Sequence, residues 1–190
     1  MIRGAILENK NQDNLSEKKG RSTTRKVLSF FLYPAAVFVP LFVGTFLLQI
    51  GVVPSGSMEP NYRAGSLFIG NRLIDEEAME RGDVVIFAHD GNHLMKRVIG
   101  LPGDIITFES CKVHVNGVEL DESAYLDDSI LTVAFQAEYE VPEGCYFMLG
   151  DNRGISSDSR FWDNPFVKSE DIESKLITYI KIPGWDVESP

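Results

Sequence analysis

Three short segments hold residues whose types and spacing suit acyl-transfer chemistry. Pro54-Ser55-Gly56-Ser57-Met58-Glu59-Pro60 offers two hydroxyls, and Lys96-Arg97-Val98-Ile99-Gly100-Leu101-Pro102-Gly103-Asp104 offers an amine among apolar neighbours. Gly150-Asp151-Asn152-Arg153, running on through Ser156, Asp158, Ser159 and Arg160, adds further hydroxyls in a dense cluster of charge. A serine hydroxyl is a poor nucleophile and needs an adjacent base to take its proton as it attacks. Lysine can act as that base only when neutral. Its amine titrates near ~10.4 in water, and burial lowers that value by disfavouring the ammonium form. Leu94, Met95, Val98 and Ile99 flank Lys96, and strand alternation sets Leu94 and Val98 on its face. Taken singly, each residue also has a plainer reading: most strand lysines lie on the surface, and Ser-Gly-Ser near a proline is ordinary loop chemistry.

Other chemistries find fewer parts. His89 and His93 are spaced for a metal pair on a helix, but Asp90-Gly91-Asn92 between them reads as a turn. No further ligand cluster accompanies them, so neither a metal nor any other cofactor is expected. A Ser-His-Asp triad drawing on His89, His93 or His114 stays compatible with the spacing, because triads are set by geometry and not by sequence order.

The elements that must position these residues are mostly strands. After residue 51 the chain is a series of short apolar runs broken by turn residues: SLFIGNRL, DVVIFA, LMKRVIGL, DIITFES, KVHVNGVEL, LTVAFQAEYEV, CYFMLGD and KLITYIKI. This predicts a mainly β domain. Asn116-Gly117 is a strong two-residue hairpin signal and Gly91-Asn92 a weaker one. Gly100, Gly103 and Asp104 predict a tight turn after the lysine strand, with the glycines taking positive φ. Short helices are expected only around Asp75 to Glu80 and Ser169 to Glu173. Cys111 and Cys145 could pair in an oxidising compartment, but spacing alone does not bring their Cα atoms within bonding range.

Upstream of the strands, Val27 to Ile50 is a 24-residue run without a charge. A helix of that length is about 36 Å long, enough to cross a bilayer with some tilt. Pro34 and Pro40 are tolerated in such a helix and predict a kink. A cleavable signal peptide has a shorter apolar core, about 7 to 15 residues, and a small-residue cleavage site; a buried core helix is the other alternative. Residues 1–26 carry seven Lys and Arg against three acids, a net +4, with Arg21, Arg25 and Lys26 close to the apolar run. Positive flanks stay cytoplasmic, so the predicted organisation is a cytoplasmic tail (1–26), a transmembrane helix (27–50) and an extracytoplasmic domain (51–190) at the cytoplasmic (inner) membrane. Removing the tail's +4 from the chain's −10 leaves −14 for the rest, which argues against nucleic acid as a partner.

Together, in this order and behind an N-terminal anchor, the three segments resemble the signature blocks of the bacterial type I signal peptidases (leader peptidases). The resemblance spans roughly residues 20–183 and implies a signal-peptidase-like catalytic β domain following a single N-terminal transmembrane helix. It implies Ser57 as nucleophile and Lys96 as general base, with the Ser57 backbone N–H and the Ser55 hydroxyl forming the oxyanion hole and Ser156 holding the Lys96 amine. Asp151, Arg153, Asp158 and Arg160 become chiefly structural supports. Val53, Met58, Tyr62, Leu94 and Met95 match positions lining shallow apolar pockets for small side chains, usually Ala, at the first and third positions before the cut. The implied substrates are membrane-bound preproteins, met at the lipid bilayer. Gly154-Ile155 stands where Asp-Asn is usual, and Gly65-Ser66 where Gly-Asp is common. A dedicated maturation protease of the same family, a self-cleaving repressor-like protein on the related Ser-Lys fold and a silent tethered β domain are the alternative readings. The second of these should lack an anchor and carry a DNA-binding module.

Overall fold

The computed structural model describes residues 29–75 and 78–182. The chain divides into two compact units, Met1–Thr45 and Phe46–Pro190. The tail assigned to residues 1–26 lies outside the described residues, as do Glu76 and Glu77 within one of the expected short helices.

The apolar run forms the helix Ser29–Leu47, and none of its most apolar stretch is buried within the protein. Phe30, Tyr33, Val37, Phe38 and Leu41 all point outward. A helix satisfies its own backbone polar groups, so an apolar helix without protein cover has the composition of one solvated by hydrocarbon. Its last turn, Val43–Leu47, widens to π geometry. The run was expected to stay helical to Ile50, but Leu48, Gln49 and Ile50 already belong to the first strand. The difference has a local cause: Leu48–Val52 pairs register by register with Leu67–Asn71, and those ladder bonds replace helical ones.

Among the described residues, eleven strands build the remainder. In chain order they are β1 (Leu48–Val52), β2 (Leu67–Asn71), β3 (Val84–His89), β4 (Asn92–Gly100), β5 (Ile105–Glu109), β6 (Lys112–Val115), β7 (Val118–Glu119), β8 (Glu138–Glu140), β9 (Cys145–Leu149), β10 (Phe166–Lys168) and β11 (Ile172–Ile180). They form a seven-stranded sheet in the order β1-β2-β11-β3-β4-β9-β10 and a four-stranded sheet in the order β7-β6-β5-β8. The described pairs are antiparallel.

Turn chemistry follows the sequence at Asn116-Gly117, whereas the turn expected at Gly91-Asn92 falls one residue earlier, at Asp90-Gly91, with Asn92 already in β4. Asn116-Gly117 and Asp90-Gly91 each put two consecutive residues at positive φ, the geometry that matches strand twist. A third hairpin turn, Ser110-Cys111, does the same without glycine or asparagine, so it carried no signal. Cys111 and Cys145 are both free thiols. Gly103 has φ +82 as expected, but Gly100 does not take positive φ. Gly100 is needed for space instead: a Cβ there would come within 2.8 Å of Val141 and 2.9 Å of Phe147. The run from Leu131 predicted as one strand gives only β8, and Ser169–Asp171 is a single 3-10 turn.

Three apolar clusters hold the sheets. One lies around Val85, Phe87, Val98, Tyr146 and Met148, and another around Val53, Met58, Phe68, Ile86 and Met95. The third fastens the small sheet to the end of the large one through Ile99, Phe147 and Leu149 against Ile106, Val113, Val115 and Tyr139. β4 contributes to all three clusters: Val98 serves the first, Met95 the second and Ile99 the third.

Candidate active site

Lys96 sits in mid-β4, opposite Val85 of β3, and is only 2% exposed. Its Nζ lies 2.6 Å from Ser57 Oγ. Ser57 is the central residue of a one-turn 3-10 helix, Gly56–Met58, that follows an extended Ser55. The Ser55 hydroxyl donates to Ser57 Oγ at 3.1 Å. The sequence therefore supplies a strand to carry the amine and a tight turn to hold the hydroxyl half-buried above it.

Burial is the largest influence on the amine and lowers its pKa from 10.5 to about 8. Asp158 opposes this, Arg160 adds to it, and Asp151 opposes it less strongly. A pKa of about 8 leaves about one lysine in ten neutral at pH 7, against about one in three thousand for a free side chain. A buried, partly neutral amine in contact with a hydroxyl is a competent general base for an acyl transfer. None of the three histidines makes a described hydrogen bond to Ser57. His89 stacks on Trp162 and His93 pairs with Glu173. Among the described residues there is no cluster of His, Cys, Asp and Glu able to hold a metal.

The third segment braces this pair. Asn152 donates from its backbone N–H to Ser57 O at 3.0 Å and from its side chain to Gly56 O at 3.2 Å. Gly150 must be glycine for this approach: a Cβ there would stand 2.5 Å from Ser57 O and 2.2 Å from Ser156 Oγ. The Gly150 N–H is held by Asp158 Oδ2 at 2.9 Å, and Asp158 in turn grips Arg160 through two contacts at 2.8 and 2.9 Å. That pair is fully buried, and Arg160 also donates to the carbonyls of Arg153 and Val133. Arg153 donates to Gly150 O, Thr132 and both oxygens of Glu122. Asp151 receives Arg97 in a two-point contact at 2.8 and 2.6 Å, and Asn61 at 2.8 Å. Lys96 and Arg97 thus point to opposite faces of β4, one to the hydroxyl and the other to the bracing carboxylate.

Two expectations need revision. Ser156 is buried beside Gly150, but its hydroxyl makes no hydrogen bond, so it does not hold the Lys96 amine in this structure. Nor do the five residues matched to apolar pockets form one open wall. Val53 and Met58 are closed into the core with Met95, while Tyr62 packs at its margin and faces another cavity, beside Tyr125 and Tyr179. Leu94 and Met95 line a cavity of about 200 Å³ with Gln49, Gly51, Val52, Pro54, Phe68, Ile86 and His93. The reason is packing: Val53, Met58 and Met95 interdigitate with Phe68, Val84 and Ile86, and a close-packed interior leaves few voids to line.

Sequence reasoning passed over several parts of this network. Arg97 and Asn152 stood inside the quoted segments but had no assigned task, and their partners show what they do. Asn61, Glu122 and Thr132 lie in loops without a motif, and only the fold brings them to Asp151 and Arg153.

The family profile described as signal peptidase, peptidase S26, matches residues 24–180. A signal peptidase I of Pseudomonas fluorescens is 30% identical over 207 residues, covering 87% of this chain and 69% of that protein. A signal peptidase I of Bacillus caldolyticus is 38% identical over 154 residues, covering 74% of this chain and 84% of that protein. A crystal structure of a signal peptidase I from Enterococcus faecalis V583 aligns with a TM-score of 0.42 at 31% identity, covering 52% of this chain and 96% of that one.

Proposed function

The chain belongs to the peptidase S26 signal peptidase family, as a membrane-anchored serine endopeptidase that removes signal peptides from exported proteins, and from that premise we propose that Ser57 is its nucleophile and Lys96 its general base. The observation that carries the assignment is the 2.6 Å contact between Ser57 Oγ and a buried amine whose pKa burial has lowered to about 8.

In this reading neutral Lys96 takes the Ser57 proton as Oγ attacks the scissile carbonyl carbon. The carbonyl oxygen gains the negative charge, and the Ser57 backbone N–H and the Ser55 hydroxyl stabilise it; such donors are worth about 2.7–4 kcal/mol each. Collapse of the tetrahedral species expels the amine of the mature protein, which receives the proton from Lys96. Neutral Lys96 then activates a water that hydrolyses the ester and returns the proton to Ser57. Asp151, Arg153, Asp158 and Arg160 position the turn and do not touch the reacting atoms.

The leader docks as an added strand. β9 pairs with β4 only from Arg97 to Gly100, so the Asn92–Lys96 stretch has a ladder partner on the β3 side and no described one on the other. An extended peptide laid along it would bring its scissile bond to Lys96 and its upstream side chains over the Leu94 and Met95 cavity. We place the N-terminus in the cytoplasm and the catalytic domain outside the inner membrane, on the strength of the positive flank before the helix.

The test is to incubate the detergent-solubilised protein with a preprotein and compare wild type with Ser57→Ala and Lys96→Met. Cleavage by wild type alone is the expected outcome. Equal cleavage by all three would overturn the dyad.

A further inference from the structure

The cavity beside Lys96 is apolar along most of its wall but ends in a polar cluster that the reaction does not use. Gln49 of β1 lies opposite Gly70 of β2, and Gly70 lies opposite Leu176 of β11. Gly70 has no side chain to block the way; a Cβ there would stand 2.3 Å from Ser174 Oγ. Gln49 therefore interacts across β2. Its Oε1 accepts from Ser174 Oγ at 2.6 Å, and its Nε2 donates to Glu173 Oε2 at 2.9 Å. The other Glu173 oxygen lies 2.9 Å from His93 Nδ1. Three strands, β1, β4 and β11, so converge on one carboxylate at the rim of the cavity that Gln49 and His93 line together with Leu94 and Met95.

The arrangement has a chemical polarity. Glu173 has no lysine or arginine among its described partners, and its two oxygens are held by an amide and an imidazole. The His93 side chain is 70% exposed, so the ring is open to a ligand. The rim therefore presents a carboxylate with no lysine or arginine against it among the described residues, which suits a hydrogen-bond donor or a cation and repels a carboxylate.

Resting on the proposed function, we infer that His93, Glu173 and Gln49 form an upstream subsite that selects leaders with a basic or donor side chain four or five residues before the cut. The position follows from strand geometry: His93 precedes Lys96 by three residues, about 10 Å at ~3.3 Å per residue. A peptide extended along β4 sets its third upstream side chain over the Leu94 and Met95 cavity and reaches the rim beyond it with the fourth or fifth residue upstream of the bond held at Ser57.

The experiment uses the full-length protein in detergent and preproteins identical but for Lys, Gln, Ala or Glu at each of those two positions. The readout is the ratio of kcat/KM for the Lys substrate to that for the Glu substrate, so that a general loss of activity in a variant cancels. For wild type the ratio should reach about three to ten at one position, as for a partly exposed charge pair. Glu173→Gln should bring it towards one, and His93→Lys should turn it below one; thermal melts establish that both are folded. A wild type that cleaves every substrate with a ratio of one, or variants that keep the wild-type ratio, would overturn the subsite and leave the dyad standing. A wild type that cleaves none of the substrates would instead overturn the reading on which it rests.

Discussion

Replacing Lys96 by methionine should abolish cleavage and yet stabilise the protein at neutral pH. Burial takes the Lys96 amine from 10.5 to about 8, and at ~1.36 kcal/mol per pKa unit this corresponds to about 3 kcal/mol. The unfolded chain keeps the proton up to about pH 10.5, the folded chain only up to about pH 8. Below pH 8 the folded state therefore carries the full penalty; between 8 and 10.5 the penalty shrinks, and above 10.5 it vanishes. Methionine has a similar length and no charge, so it removes the penalty. It also loses the contact with Ser57 Oγ, worth about 1 kcal/mol. About 2 kcal/mol of net stabilisation remains at pH 7, a rise in melting temperature on the order of 5 °C for a domain of this size. Thermal unfolding of both proteins in one detergent at pH 7, 8, 9 and 10 measures it. The variant should melt higher at pH 7, and the gap should close towards pH 10. A variant that melts lower at pH 7, or a gap that stays constant with pH, would refute a buried amine with a depressed pKa.

The same depressed pKa predicts that wild-type kcat/KM rises about tenfold per pH unit below about 8 and levels above it; a profile flat from pH 6 to 10 would contradict Lys96 as base. Ser55→Ala should lower kcat by about 10²- to 10³-fold with little change in KM or in thermal stability, as for loss of one oxyanion donor. Gly150→Ala forces a Cβ to 2.5 Å from Ser57 O, and the displaced nucleophile should reduce kcat by on the order of 100-fold; urea unfolding alongside the assay distinguishes displacement from collapse. Asp158→Ala leaves the buried Arg160 guanidinium without its carboxylate and should cost about 3–5 kcal/mol in the same urea measurement.

How much of this was legible in the residues varies from element to element. Asn116-Gly117 marked its hairpin because both positions need positive φ, whereas Ser110-Cys111 adopts the same turn with no such mark. The apolar run was visible as a helix, but its last three residues follow the pairing available at β2 and not their own composition. Gly100 and Gly103 looked alike in sequence; one serves a positive φ and the other a close approach by Val141 and Phe147. The distinction depends on neighbours more than 30 residues away.

The pairing of Ser57 with a lysine base came from resemblance to the type I signal peptidases; by itself the sequence determined an uncharged run long enough to span a bilayer and a series of short apolar strands. These are local properties, set by composition, period and turn chemistry within a few residues. The tertiary structure decided what local rules do not reach. It set Lys96 Nζ against Ser57 Oγ across 39 positions of chain, removed water from the amine, and matched Arg97 to Asp151 and Arg153 to Glu122. It also left the Ser156 hydroxyl without a hydrogen bond and closed Val53 and Met58 into the core. Contacts and burial are pairwise and collective properties of the packed chain, and a lysine's pKa depends on what surrounds it in space and not on what flanks it in sequence.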